Sequence, residues 1–446
     1  MKRTWIYNAT IVNEGLKFTG SVVIENDIIS EVLQGDTRPS TPCDTEIDAH
    51  GYYLIPGVID DHVHFRDPGL THKADMASET AAAAAGGVTA FMDMPNCNPQ
   101  TTTLEALENK FSDAATKCIV NYSFYFGATN NNANLLKELD KKHVCGVKLF
   151  MGASTGNMLV DRIEALRNIF TDAGMLIAAH CEDQTIIRWN TDLIKSKYGE
   201  DADISFHPRI RSEEACWRSS SLAVQLAKET GARLHILHVS TARELDLFED
   251  KPISEKKITS EACVSHLMFC DKDYQTLGAR IKCNPSIKTQ TDCDALRQAL
   301  TGNRIDVIGT DHAPHLLEEK KGGALKAVSG MPSLQFSLVS IMELVHEGII
   351  TVEQLVQKMC HAPAELYQID RRGYIRRGYK ADLVLVNPNC EWEITPECIL
   401  SKCGWSPMEG KRFHAKVEKT FVNGTLVYSD GKVNTSHRGE ALTFNR

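Results

Sequence analysis

Two histidines stand two residues apart in the stretch Asp61–Gly69, DHVHFRDPG, and an arginine follows two residues later. In an extended strand, residues i, i+2 and i+4 share a face. His62, His64 and Arg66 would then present two neutral nitrogen donors and a fixed cation side by side. Such a set suits a divalent metal next to an anionic ligand. A polar surface strand could carry the same letters, so the segment needs support from the rest of the chain.

That support comes from other apolar runs. Lys148 lies inside VCGVKLFMG, His180 closes MLIAAH, His238 follows RLHIL and Asp311 follows IDVIGT. Any one of them could be a hydrogen-bonded structural residue, but four histidines and an aspartate gathered at one mouth make a ligand set. His235 precedes His238 by three residues and falls on the other face, so it is not counted as a ligand. An unpaired ammonium at Lys148 would be costly in so apolar a run. Either it reaches a carboxylate or solvent, or burial lowers its pKa until the neutral amine can react. Nitrogen and oxygen donors without thiolates argue for catalytic zinc or a similar first-row ion. Two such ions ~3.5–4 Å apart could share a hydroxide while one of them polarises a carbonyl.

The elements that must position these residues are legible as eight short apolar runs: LIPGVIDDHVH, GVTAFMDMPN, NYSFYFGAT, GVKLFM, MLIAAHCED, RLHILHVST, KITSEACVS and IDVIGTDHAPH. Between them lie helical patterns such as DRIEALRNIFTDAG, closed by glycine. Near-continuous apolar runs suit parallel strands buried on both faces. The fold expected is a (β/α)₈ TIM-like barrel over residues 55–378, with the polar residues at the C-terminal strand ends. A doubly wound sheet would carry a Gly-rich phosphate turn after its first strand, and none is present. Residues 1–54 and 379–446 read as short strands joined by Gly, Asn and Asp turns. They are expected to form one small β-sandwich domain built from both ends of the chain.

Composition sets the outer limits. The 446 residues are 42% hydrophobic and 24% charged, ordinary for a globular protein. A net charge of −9 gives no electrostatic case for nucleic acid or an anionic membrane. MKRTWIYNATIV turns polar at once, no apolar run reaches bilayer length, and fourteen cysteines lie scattered without a CxxC pair. The expectation is a soluble, cytoplasmic protein with reduced thiols acting on a small molecule, and a homodimer is the default assembly.

With these positions laid out, the chain resembles the dihydroorotases of the amidohydrolase superfamily over essentially its whole length. DHVHFRDPG and GTDHAPHLLEEK (Gly309–Lys320) carry the resemblance most specifically, and MPNCNP, GVKLFMG, HCED and KCNPSIK follow in the expected order. The resemblance implies that His62, His64 and Asp311 hold one zinc ion and His180 and His238 a second. A carboxylated Lys148 would bridge the pair. It further implies that Arg66, Asn96 and His315 bind a substrate carboxylate and that Asn284 contacts the pyrimidine ring. Asp311 would serve as base and then acid in reversible opening of the cyclic amide of L-dihydroorotate to N-carbamoyl-L-aspartate, a step of pyrimidine synthesis.

Some positions depart from the family pattern. Val264–Ser265 stand where a Pro-His pair is usual, KCNPSIK replaces an NPPLR-like segment, and SGMPSLQF (Ser329–Phe336) lacks a second glycine and an acidic residue. The resemblance makes that last loop a substrate contact. Two alternatives stay open: a hydantoinase- or allantoinase-type enzyme with the same metal site, and a catalytically silent relative. Arg66 and Asn96 speak against the first, and the complete set of six ligand positions against the second.

Overall fold

The computed structural model describes residues 2–152 and 158–446. Eight parallel strands form a nearly closed barrel: Val58–Val63, Val88–Asp93, Asn121–Gly127, Gly146–Phe150, Ile177–His180, Leu234–Ile236, Ile258–Cys263 and Val307–Gly309. Each pairs in parallel with the next in the chain. Apart from Ile258, every residue in these strands is buried. That explains the unbroken apolar runs, since helices cover one face and the barrel interior the other. Ile59, Ala90, Met92, Tyr125, Ala178 and Val307 belong to a core that fills the lower barrel. Each large apolar side chain so buried contributes roughly 1.5–3 kcal/mol.

The barrel closes differently from the way it propagates. No strand ladder joins the first strand to the eighth. Instead, Thr310 donates from N and Oγ1 to Asp60 at 3.2 and 2.6 Å, and His64 N donates to His312 O at 2.7 Å. The seam therefore falls where His62, His64 and Asp311 emerge.

Flanking helices start and stop where their caps dictate. Asp183 accepts from the amides of Thr185 and Ile186 to open Gln184–Tyr198, and Ser212 accepts from Ala215 N to open Glu213–Thr230. The second of these ends at Gly231, whose φ of +73° places it in the left-handed region. The predicted helix in DRIEALRNIFTDAG spans Ile163–Asp172.

The two chain ends meet in one nine-stranded sheet, with Arg3–Asn13 and Leu16–Glu25 from one end and Leu383–Asn387 and Lys416–Val422 from the other. Ile6, Ile11, Val22, Leu54, Leu383 and Phe421 lie in its own core. LIPGVIDDHVH, read from sequence as one strand, divides at Gly57: Tyr53–Pro56 pairs within the terminal sheet and Val58–Val63 within the barrel. The reason is local, because a Cβ at Gly57 would lie 2.0 Å from Thr89 Oγ1. All fourteen cysteines are free thiols, ten of them buried. Among the described residues no helix is long and apolar enough to cross a membrane.

Candidate active site

A cavity of about 60 Å³ opens at the C-terminal ends of the barrel strands. His62, His64, Arg66, Asn96, Lys148, His180, His238, Asn284 and Asp311 all line it. His315 does not, and stands behind Arg66.

On the seam side, His62 Nε2 and His64 Nε2 approach one oxygen, Asp311 Oδ1, at 3.2 and 3.0 Å. These three residues form a compact group able to hold a metal ion. The outward nitrogen of each ring is also engaged: His62 Nδ1 contacts Glu261 Oε1 at 3.0 Å, and His64 Nδ1 contacts Asn96 Oδ1 at 2.6 Å. Partners of this kind orient a ligand ring and fix which nitrogen faces the metal. Burial lowers the His62 pKa, but the charges of Glu261 and Asp311 outweigh it and raise the ring to about 10. His64 is pushed down to about 4, mainly by burial. Burial alone would raise the Asp311 carboxyl; His62 and His64 hold it well below the usual range.

Across the cavity the partners thin out. His180 Nδ1 and His238 Nε2 lie 2.9 Å apart. Among the described residues His238 Nδ1 has no hydrogen-bond partner, and His180 Nε2 sits 3.0 Å from Glu182 Oε2 without hydrogen-bond alignment. Glu182 pairs instead with Arg211. Lys148 Nζ is buried with no hydrogen-bond partner among the described residues, 4.5 Å above the Phe150 ring. Burial lowers its pKa to about 8, with Asp311 and Glu261 only partly offsetting. The His180 and His238 pKa values are both lowered by burial. Four imidazoles, a carboxylate and a buried amine face one cavity, a donor set rich in nitrogen. These residues fit a divalent metal site.

The backbone bends to make this arrangement. Arg66, His238 and Asp311 are non-glycine residues with φ of +64°, +40° and +47°. Such values are uncommon and persist where surrounding structure holds them. The first strand stops at Val63, so strand alternation is not what brings Arg66 beside the histidines; its left-handed backbone does. Asp93 ties this turn to the next loop, accepting from Phe65 N at 2.8 Å and pairing with buried Lys110 at 2.5 Å. Lys110 also donates to Met94 O at 3.0 Å, which anchors the segment carrying Asn96.

Arg66 Nε donates to Pro314 O at 3.0 Å, and its Nη2 lies 3.0 Å from His315 Nε2. Ser329 and Gly330, from the loop flagged in the sequence, close the wall beside it. A Cβ at Gly330, whose φ is +125°, would lie 2.7 Å from Ala313 O and 2.9 Å from His315 Cδ2, so glycine is required there. Lys320 holds the loop: its Nζ donates to the carbonyls of Lys282, Val328 and Gly330 at 3.0, 2.7 and 2.6 Å. His235 stays outside the cavity, with Nδ1 2.8 Å from Thr259 Oγ1.

Glu261, Glu182, Lys73 and Lys320 were not singled out from sequence. For Glu261 the signal was present, an acid inside an otherwise apolar and small-residue strand, Ile258–Cys263. Its partner His62 is 199 residues away, which no local pattern shows.

Residues 53–427 match the amidohydrolase family, and the chain belongs to that family. Within the family its sequence relatives include dihydroorotases. That of Halobacterium salinarum is 34% identical over 399 residues, covering 87% of this chain and 89% of its own. That of Methanosarcina acetivorans is 31% identical over 456 residues, covering 99% and 94%. Among solved structures, the L-hydantoinase (dihydropyrimidinase) from Arthrobacter aurescens superposes with a TM-score of 0.92 at 26% identity, covering 97% of this chain and 98% of its own. The dihydropyrimidinase from Brevibacillus agri gives 0.89 at 24% identity and covers the whole of both chains.

Proposed function

We propose that this protein is a zinc-dependent dihydroorotase, opening the cyclic amide of L-dihydroorotate to N-carbamoyl-L-aspartate and closing it in reverse. The observation that carries the reading is Arg66, a buried guanidinium on the same cavity wall as His62, His64 and Asp311. A cyclic amide without a ring carboxylate gives no reason for a cation there, whereas a carboxylate would receive two parallel hydrogen bonds and a fixed orientation. Dihydroorotase relatives at up to 34% identity support the same substrate.

In this reading His62, His64 and Asp311 would hold one zinc ion and His180 and His238 the other, with Lys148, carboxylated on Nζ, completing the ligand set. When bound, such a pair supplies Lewis-acid polarisation of the ring carbonyl and an acidified water. The chain's own residues do the rest. Arg66 anchors the ring carboxylate, with Asn96 and His315 beside it. Asn96 Oδ1 is engaged by His64, which leaves the amide NH₂ to offer to substrate. Asn284 brings a side-chain oxygen with no partner among the described residues, an acceptor for a ring N–H. Asp311, held well below the usual carboxyl range, is ionised and takes the proton of the attacking water. It then delivers that proton to the departing ring nitrogen. The free thiols fit a reducing compartment, in keeping with a cytoplasmic enzyme.

The test is turnover of the zinc-loaded protein on L-dihydroorotate, with allantoin and hydantoin in parallel. Preference for dihydroorotate is expected, and activity on the other rings alone would overturn the reading. Arg66→Ala is expected to lower kcat/KM on dihydroorotate by at least about a hundredfold with zinc content unchanged.

A further inference from the structure

His315 is caught between two donors. Arg66 Nη2 lies 3.0 Å from its Nε2, and Lys73 Nζ lies 3.1 Å from its Nδ1. A neutral imidazole has one N–H and one lone pair, while a guanidinium or an ammonium only donates. One of the two contacts must therefore be donor against donor, whichever tautomer the ring adopts. The site forbids the simple escape of protonating the ring, because burial, Arg66 and Lys73 all push its pKa far down. The other charged groups near the ring are Glu319, whose Oε2 is 3.6 Å from Nδ1, and more distantly Lys320 and His64.

Lys73 is fixed where it stands. Its Nζ pairs with Glu319 Oε1 at 2.6 Å, and Glu319 Oε2 in turn accepts from Leu316 N at 2.9 Å. The His315 carbonyl is pinned as well, accepting from Trp405 Nε1 at 2.8 Å. On the opposite edge the Nε2–Cδ2 side of the ring lies along Arg66 and Gly330, both of which line the cavity. An anion placed against that wall could accept from Arg66 and from His315 together, provided that Nε2 carries the proton. Binding would then replace a donor–donor contact with two charge-assisted hydrogen bonds.

We propose that Lys73 is a positioning residue that fixes the tautomer of His315, its ammonium donating to Nδ1 so that Nε2–H is turned toward the substrate carboxylate beside Arg66. The carboxylate is that of the dihydroorotate reading, on which this inference rests. Lys73 never touches the ring that reacts; it makes His315 a donor instead of a competitor for Arg66. The contact thereby favours substrates with a ring carboxylate over those without one.

Two measurements on the full zinc-loaded chain test this. In ¹⁵N-histidine-labelled wild-type protein, with the His315 signals identified by their loss in His315→Gln, Nε2 is expected to be the protonated nitrogen and Nδ1 the bare one. A protonated Nδ1 overturns the proposal without any Lys73 variant having to fold. In kinetics on L-dihydroorotate, Lys73→Met is expected to raise KM by about tenfold to a hundredfold while kcat changes far less. Lys73→Arg, which keeps a donor, should recover most of that loss. An unchanged KM in Lys73→Met, or kcat and KM failing together without rescue by arginine, refutes it. Wild-type protein that holds zinc but does not turn over dihydroorotate would refute the substrate reading instead, and the tautomer measurement would still decide the role of Lys73.

Discussion

The two sides of the cavity contain similar ligands held in opposite ways. On the seam side both histidines have protein partners at both ring nitrogens, with Glu261 and Asn96 behind and Asp311 in front. On the far side Lys148 Nζ and His238 Nδ1 have none among the described residues, and the nearest acid to His180 is committed to Arg211. One side is organised by the chain alone. On the proposed reading, the other would take its order from a bound metal. The first would then fix where chemistry happens, and the second would decide whether the full site assembles.

Removing the residue that spans the two sides should break this contrast most severely. Lys148→Ala is expected to cost about 10³-fold in kcat, the scale of losing a principal electrostatic stabiliser. Metal analysis should show the far side losing its ion while the seam side keeps its own. Added short carboxylates should restore part of the activity by standing in for the two oxygens of a carbamate. Equal loss from both sides would show that the seam side is not independently organised.

Glu261→Gln probes the converse. Glu261 contacts His62 Nδ1 and also accepts from His238 N at 3.0 Å. Loss of its charge should weaken metal binding by about tenfold to a hundredfold. Titration with a competing chelator should place that loss on the seam side.

The two sides should also differ in their proton linkage. His62, raised to about 10 between two carboxylates, keeps a proton that a metal must displace. His180 and His238, both lowered, are neutral at pH 7 and release nothing, so far-side proton linkage rests on Lys148, whose pKa burial lowers to about 8. Seam-side affinity should thus rise about tenfold per pH unit between 6 and 9, with roughly one proton released per ion. Calorimetry in buffers of different ionisation enthalpy reads this directly, and a pH-independent seam side would contradict it.

Much of this was legible in the sequence because a parallel barrel strand is an apolar run and its functional residue interrupts the end of that run. His62, His64, Lys148, His180, His238 and Asp311 stand out for that reason and share one cavity. The division at Gly57 was hidden, since both halves of the run are apolar and only the close approach of Thr89 separates them. The left-handed backbone at Arg66 was hidden too, because arginine does not favour positive φ; His238 and Asp311 belong to residue types that adopt it more readily, but nothing in their local sequence marks these two. Glu261 and Lys73 were missed for a third reason. Each acts on a histidine more than 190 residues away, and such pairing is a property of the closed barrel.

The smallest expected effect concerns Glu182, and it separates orientation from stability. This buried carboxylate lies close to His180 but is aligned with Arg211, so Glu182→Gln should lower far-side metal affinity by less than about tenfold. Its larger role is in folding. Burial raises its pKa, yet the Arg211 charge and the His180 ring outweigh burial and hold it at about 2, below its ordinary value of 4.5. A carboxyl held lower in the folded chain contributes stability that is fully present above about pH 4.5 and is lost as pH falls toward 2. Wild-type protein should therefore lose stability steadily across that window, and Glu182→Gln should start less stable but lose less over the same range. Denaturant midpoints at pH 5 and pH 3 for both proteins check this. Parallel loss in the two proteins would mean that Glu182 carries no acid-sensitive stability, and an equal fall in metal affinity for Glu182→Gln and Glu261→Gln would erase the contrast between the two sides.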